Sequence, residues 1–354
     1  MPKKIHVEDP ISISVHHMTS PKRTFVVIGE VHDRWAKKGC SSSIKALTLM
    51  EFFQRLAKKL PTVDFFIERP LPLTKNEPLH KNPWLHWFYK LRFWRSFHHG
   101  LPALNEELGT CLPKFEDESK CPLPTTARVH FIDFRELEKW SGWKYDDAVQ
   151  ASDNNLEDIR MFLGNIEAAL VFTQDSRIVY HKVDEFMTLC ELLHERQGAL
   201  WDVLLKSFKI EKQLEGIRSS IVRKKLKHHM KIKWNQTWKN IGQHIHIFRH
   251  PYEEEYTIPR QYLPGDIIDS PLCSSIANEF LAVSCIPIDL YMMARALRNF
   301  VDGTHATNVV TYVGDAHAKN YREMLHILGA KEILLEYSKE GAACLPVEKA
   351  LELL

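Results

Sequence analysis

The chain contains no apolar stretch long enough to span a membrane, so no membrane-crossing helix is expected. Its first twenty residues, MPKKIHVEDPISISVHHMTS, hold no apolar leader, so no secretory signal is expected either. There is no CxxC pair. The seven cysteines (Cys40, Cys111, Cys121, Cys190, Cys273, Cys285, Cys344) are odd in number and scattered. Reduced thiols in a cytoplasmic setting are the expectation, with a Cys111–Cys121 pair or metal site ranked below it. Neither sign of charge dominates: 47 Lys and Arg stand against 45 Asp and Glu, which says little about partners. No P-loop, GxGxxG, HExxH or GxSxG occurs, so the common signatures of nucleotide sites, zinc proteases and serine hydrolases are missing. No solenoid repeat or low-complexity tract is present.

What is there reads as an ordinary globular chain of 354 residues, 44% hydrophobic and 26% charged. Two stretches stand out. Thr24–Asp33 is TFVVIGEVHD and Asn308–His317 is NVVTYVGDAH. In each, a short apolar β-branched run ends in Gly, then an acid, one further residue and His. Such runs are too short for typical helices, and their unbroken apolar character suits strands buried on both faces of a parallel sheet. Gly29 and Gly314 allow a sharp turn or close approach to a ligand. The carboxyl ends of parallel strands are where open α/β sheets bind ligands.

Between the motifs the pattern alternates. Ile11–Val15 reads as a short leading strand. Ser41, Ser42 and Ser43 offer an N-cap for a helix over Ile44–Leu60. Val63–Glu68 is a second strand, and Arg128–Phe134 a third that ends in Asp133 and Arg135. Asn82–His99 is dense in aromatic and basic residues, and Glu116-Asp117-Glu118 is acidic. Residues 145–245 read as helical. They include Asn155–Val171, Val183–Leu205 and the basic run Ile210–Trp238, with Arg223, Lys224, Lys225, Lys227, Lys231 and Lys233. That run, within 206–240, is first a solvated helix face. Its alternative is contact with nucleic acid or an acidic partner through the bases, Trp234 and Trp238. His250–Ser270 is a boundary loop, Pro271–Asn299 is helical, Asn320–Leu328 is a short helix closed by Gly329, and Lys331–Tyr337 is a last strand.

The expected fold is α/β: a mostly parallel central sheet flanked by helices, with a large helical insertion. Residues 1–144 and 251–354 form the core and 145–250 the insertion. Four strand ends then offer Glu30/His32, Glu68, Asp133/Arg135 and Asp315/His317. Two chemistries suit them. Glu30, His32, Asp133, Asp315 and His317 can hold a divalent ion such as Mn or Zn with an open position. Alternatively a His–Glu pair drawn from Glu30, His32, Glu68 and His317 can activate water directly. Arg135 and Tyr321 are candidate substrate-binding residues.

GEVHD near the start, FFIE at Glu68 and GDAHAKNY near the end resemble the erythromycin esterase/ChaN-like superfamily. The paired GxxH units at His32 and His317 resemble its TraB/Tiki branch. The resemblance covers about 24–70, 128–135 and 308–337. It implies hydrolysis of an ester or amide in a small-molecule or peptide substrate, with Glu68 pairing with a motif histidine. Through the ChaN branch it implies, as an alternative, haem binding by His or Tyr ligands, Tyr321 among them. A non-catalytic interaction protein on the same scaffold is the third reading.

Overall fold

The computed structural model describes residues 5–30, 40–41, 44, 46–68, 108, 111, 121–132, 191, 194–195, 197–207, 209–249, 271–300, 304–339 and 343–354. The chain divides into two compact units. One is Met1–Lys139, Gln213–Leu226 and Tyr291–Leu354; the other is Trp140–Lys212 and Lys227–Leu290. Expectations for His32, Asp133, Arg135, Asn82–His99, Glu116–Glu118, Asn155–Val171 and His250–Ser270 lie outside the described residues.

The first unit is of mixed α/β content. Its six-stranded sheet comprises β2 (Pro10–Thr19), β3 (Lys22–Glu30), β5 (Val63–Ile67), β6 (Ala127–Phe131), β7 (Asn308–Gly314) and β8 (Lys331–Tyr337), in the order β6-β5-β7-β3-β2-β8. The β6–β5, β5–β7 and β7–β3 pairings are parallel, while β2 is antiparallel to both β3 and β8. The sheet is therefore mixed. A smaller sheet orders β4 (Ala46–Leu47), β1 (His6–Glu8) and β9 (Cys344–Pro346).

Alternation along each strand sends side chains to two faces. Val26 and Ile28 of β3, Phe65 and Ile67 of β5, and Val310 and Tyr312 of β7 enter one apolar core. Helix α1 (Leu49–Lys59) covers it with Leu49, Phe52, Phe53, Leu56 and Ala57, the spacing of a single helix face. Phe53 stacks tilted on Phe65 at 5.0 Å and meets Tyr312 edge-on at 5.9 Å. The helix begins later than Ser41–Ser43 suggest. Thr48 and Glu51 form a capping box: the Glu51 N–H donates to Thr48 Oγ1 at 3.1 Å and the Thr48 N–H to Glu51 Oε2 at 2.8 Å.

The other face meets α6 (Asp315–Ile327), which follows β7 without a break. A helix was expected only from Asn320. Gly329, at φ +83°, ends it in the left-handed conformation common past helix ends. The expected leading strand is longer, running through β2 into a two-residue turn at Ser20–Pro21 and on to β3. Arg23, buried, donates to the carbonyls of Ala296 and Leu297 at the end of α5 (Pro271–Leu297). Burial pushes its guanidinium down to about 10, opposed by Asp64.

The cysteines depart from the reduced state expected of them: Cys40 is bonded to Cys344 and Cys111 to Cys121. Cys285 is unbonded.

The second unit contains α2 (Gln197–Ser207) and most of α4 (Ser220–Arg249); the short α3 is Ile210–Glu215. Trp201, Trp234 and Trp238 pack at 5.3 and 5.7 Å, and Trp234 Nε1 donates to the Gln197 carbonyl at 3.0 Å. No helix among the described residues is long and apolar enough to cross a membrane.

Candidate active site

The carboxyl ends of β3, β5 and β7 lie side by side, in register at Glu30–Gly314 and Ile67–Tyr312. Three motif-derived groups arrive there, and they separate.

The first is Glu68 with His317. Glu68 follows β5, and its own N–H donates to the Tyr312 carbonyl at 3.0 Å, which extends the ladder by one residue. Its Oε1 lies 3.0 Å from His317 Nε2. Its Oε2 accepts the Gly314 N–H at 2.6 Å. Gly314 is the N-cap of α6 and brings no capping side chain. Counting from it, His317 is the third helical residue, the place of the carboxylate in a capping box. Here a carboxylate from 246 residues away accepts the cap N–H and holds the imidazole as well. The positive end of the helix favours negative charge at that point. An ionised carboxylate only accepts, so with Glu68 ionised the proton of this contact sits on His317 Nε2. The side chains are only 5% and 8% exposed, so their attraction is weakly screened by solvent. The ring of Tyr321, one turn along α6, is 6.3 Å from that of His317.

The second group is Glu30. It is buried, and the Tyr312 hydroxyl donates to its Oε2. Glu30 continues the phase of Val26 and Ile28, on the face covered by α1. Glu68 continues the phase of Asp64 and Phe66, toward the other face. The same alternation that places both acids at strand ends keeps them apart.

The third is Asp315. Ser12 Oγ donates to its Oδ1 at 2.6 Å, Lys319 Nζ lies 3.2 Å from Oδ2, and Arg322 Nη1 is 3.7 Å from Oδ1. Arg322 also donates to Ser12 Oγ at 2.6 Å and to Ser14 Oγ at 3.1 Å. Asp315 thereby ties the start of α6 to β2. Gly29 permits this. A Cβ there would lie 2.5 Å from Ser12 Oγ, 2.6 Å from Asp315 Oδ1 and 3.1 Å from Ala318 Cβ. Its absent side chain makes room for a helix, where the sequence had suggested a turn or a ligand.

Among the described residues, no three His, Cys, Asp or Glu side chains come together to hold a metal ion. Of the five expected ligands, Asp315, Glu30 and His317 are engaged as above, and His32 and Asp133 lie outside the described residues, as does Arg135. Sequence reading missed Ser12, Tyr312, Arg322 and the Gly314 amide. Arg322 carried a signal, seven residues from Asp315 on the same helix face. The polar alternation of Ser12, Ser14 and His16 carried another.

No family model, curated protein or solved structure matches this chain. The resemblance to the erythromycin esterase/ChaN-like group rests on the motif residues alone.

Proposed function

We propose that the chain hydrolyses an ester or amide bond, with His317 as the base that activates water and Glu68 as the carboxylate that orients it. The observation that carries this is the double hold on Glu68: one oxygen on His317 Nε2, the other on the Gly314 amide. With Nε2–H fixed toward Glu68, Nδ1 takes a proton from water as the water oxygen attacks the carbonyl carbon. Glu68 stabilises the imidazolium that forms. The proton then passes to the leaving alkoxide or amine as the C–O or C–N bond breaks. Arg135 is the proposed substrate contact, while Tyr321, expected from the sequence to share that role, is fully buried on α6. Glu30 enters as the residue that ends β3 and leads toward His32.

The scaffold in this reading is the mostly parallel sheet with 145–250 as a helical insertion. Of the ligands expected for a Mn- or Zn-type ion, Asp315 is held by Ser12, Lys319 and Arg322 and Glu30 by Tyr312, while His32 and Asp133 lie outside the described residues. No step is routed through a metal or a haem. As to place, the cytoplasm expected from the sequence competes with the two disulfides, which persist in oxidising surroundings. Mass spectrometry of unreduced protein from its source would settle Cys40 and Cys344.

The test is a panel of chromogenic esters and peptide amides, run with and without a chelator. The proposal expects turnover that survives chelation and is lost in His317→Ala. Turnover abolished by the chelator would replace the metal-free mechanism. No turnover on any substrate would favour the interaction-protein reading.

A further inference from the structure

Charge is unevenly distributed along this nearly neutral chain. Residues 197–249 contain 12 Lys and Arg against 3 Asp and Glu; the other residues contain 35 against 42. The net charges are +9 and −7, an asymmetry that points to a polyanionic partner. The excess centres on α4. Over its 30 residues it has eight Lys and Arg, four His and no acid.

The helix sorts these residues by face. Val222, Leu226, Met230, Trp234, Trp238, Ile241 and Ile245 are buried. Lys227 is paired with Glu211 at 3.2 Å, and Lys231 lies over the Trp201 ring at 4.9 Å. Lys224, Lys225, His228, Asn235, Gln236 and Lys239 are exposed. At 100° per residue they fall within an arc of about 120°, and they extend over about 22 Å. Their alignment follows from the geometry of one continuous helix. Among the described residues, Lys224 and Lys239 have no acidic partner.

We infer that this face of α4 binds the phosphate backbone of duplex nucleic acid without reading sequence. Ammonium, amide and imidazole groups in a line suit phosphate oxygens. Single-strand binding would require exposed aromatic platforms, and Trp201, Trp234 and Trp238 are buried. Two exposed isoleucines, Ile221 and Ile232, at 67% and 52% exposed, lie within the same arc, but an anionic membrane would require a continuous apolar stripe, and the apolar stripe of this helix is buried.

The test is fluorescence anisotropy of the full chain with a labelled duplex of about 20 base pairs, from about 50 to about 200 mM salt. The expected result is binding on the order of micromolar that weakens steeply with salt. The Lys224→Gln/Lys225→Gln/Lys239→Gln variant should bind at least about tenfold more weakly and lower the log–log salt slope by about 2 to 3. Unchanged far-UV circular dichroism would show that the variant is folded. Parallel arms use polyglutamate and phosphatidylserine vesicles. Failure to bind duplex, equal binding by the folded variant, or preference for polyglutamate or vesicles would each overturn the inference.

Discussion

Strand β5 carries a histidine–carboxylate pair at each end, and the two differ in almost everything but distance. Near its start, Asp64 Oδ1 lies 2.7 Å from His130 Nε2; past its end, Glu68 Oε1 lies 3.0 Å from His317 Nε2. Asp64 also takes a two-pronged grip from Arg128, at 2.8 Å to each oxygen. Arg128 in turn lies over Phe300 at 4.6 Å and donates to Thr304 at 3.0 Å. His130 is stacked between Phe66 and Phe300 at 4.6 and 6.0 Å. Burial pushes His130 below its usual range, although Asp64 opposes it. Burial alone would raise Asp64, but the bonds from His130 and Arg128 outweigh it and hold the carboxyl low. The state these directions favour is an ionised Asp64 beside a neutral His130, with Arg128 supplying the countercharge. Glu68 is held instead by one backbone amide and the imidazole, at the carboxyl ends of the strands. A short His–carboxylate distance alone therefore does not single out a candidate site; position at the carboxyl ends of the parallel strands is what favours Glu68 and His317.

The largest expected effect separates the pairs by activity. Glu68→Gln should lower ester turnover per folded molecule by about 10²- to 10⁴-fold, well beyond what its loss of stability accounts for. If Asp64→Asn had the larger effect on turnover per folded molecule, the assignment would be reversed.

Next comes stability. Asp64→Asn leaves Arg128 and His130 facing a neutral amide, at a cost of about 3 kcal/mol in urea unfolding. That is the low end for a broken buried pair, because Arg128 is 37% exposed. An unchanged midpoint would contradict the structural role of this cluster.

A third histidine sharpens the comparison through pH. His16 sits 2.9 Å from Ser14 Oγ, and Glu332 is 3.8 Å away. Burial, helped by Arg322, pushes it from 6.5 down to about 4. A ring that is neutral when folded and protonated when unfolded withdraws stability as pH falls. Its contribution is intact above 6.5 and lost progressively toward about 4, a change of about 3 kcal/mol. Unfolding curves of His16→Gln should flatten over that window. A slope equal to the wild type would remove His16 as its source.

The smallest effect tests how α6 is seated. Gly29→Ala must displace Ser12 Oγ or Asp315 Oδ1, at about 1–3 kcal/mol, and should reduce turnover more than stability. An alanine variant with full activity would show that the start of α6 tolerates the shift.

These regions were not equally legible in the sequence. Strands β3, β5 and β7 could be read because Phe25–Ile28, Val63–Ile67 and Val309–Val313 are short apolar runs ended by an acid or glycine. Strand β2 could be read only in part, because Ser12, Ser14 and His16 are polar yet buried against α6. The start of α6 was hidden: Gly314 offers no local cap, and the group that replaces one is Glu68, remote in sequence. The Glu68–His317 pairing is one of several that the sequence allows, since spacing alone cannot say which strand lies next to which. Once β5, β7 and β3 are in order, alternation parts Glu30 from Glu68. Asp64 with Arg128 and His130 is not legible in the sequence, because a lone Asp in an apolar strand carries no mark of its partners.

The central claim is that Glu68 fixes His317 with its proton on Nε2. Nitrogen-15 spectra of histidine-labelled protein, assigned by comparison with His317→Ala, test it without any substrate. The account predicts that neutral His317 carries its proton on Nε2 and none on Nδ1, and that Glu68→Gln disturbs this preference. His317 protonated at Nδ1 in the wild type, or a tautomer indifferent to Glu68→Gln, would contradict it.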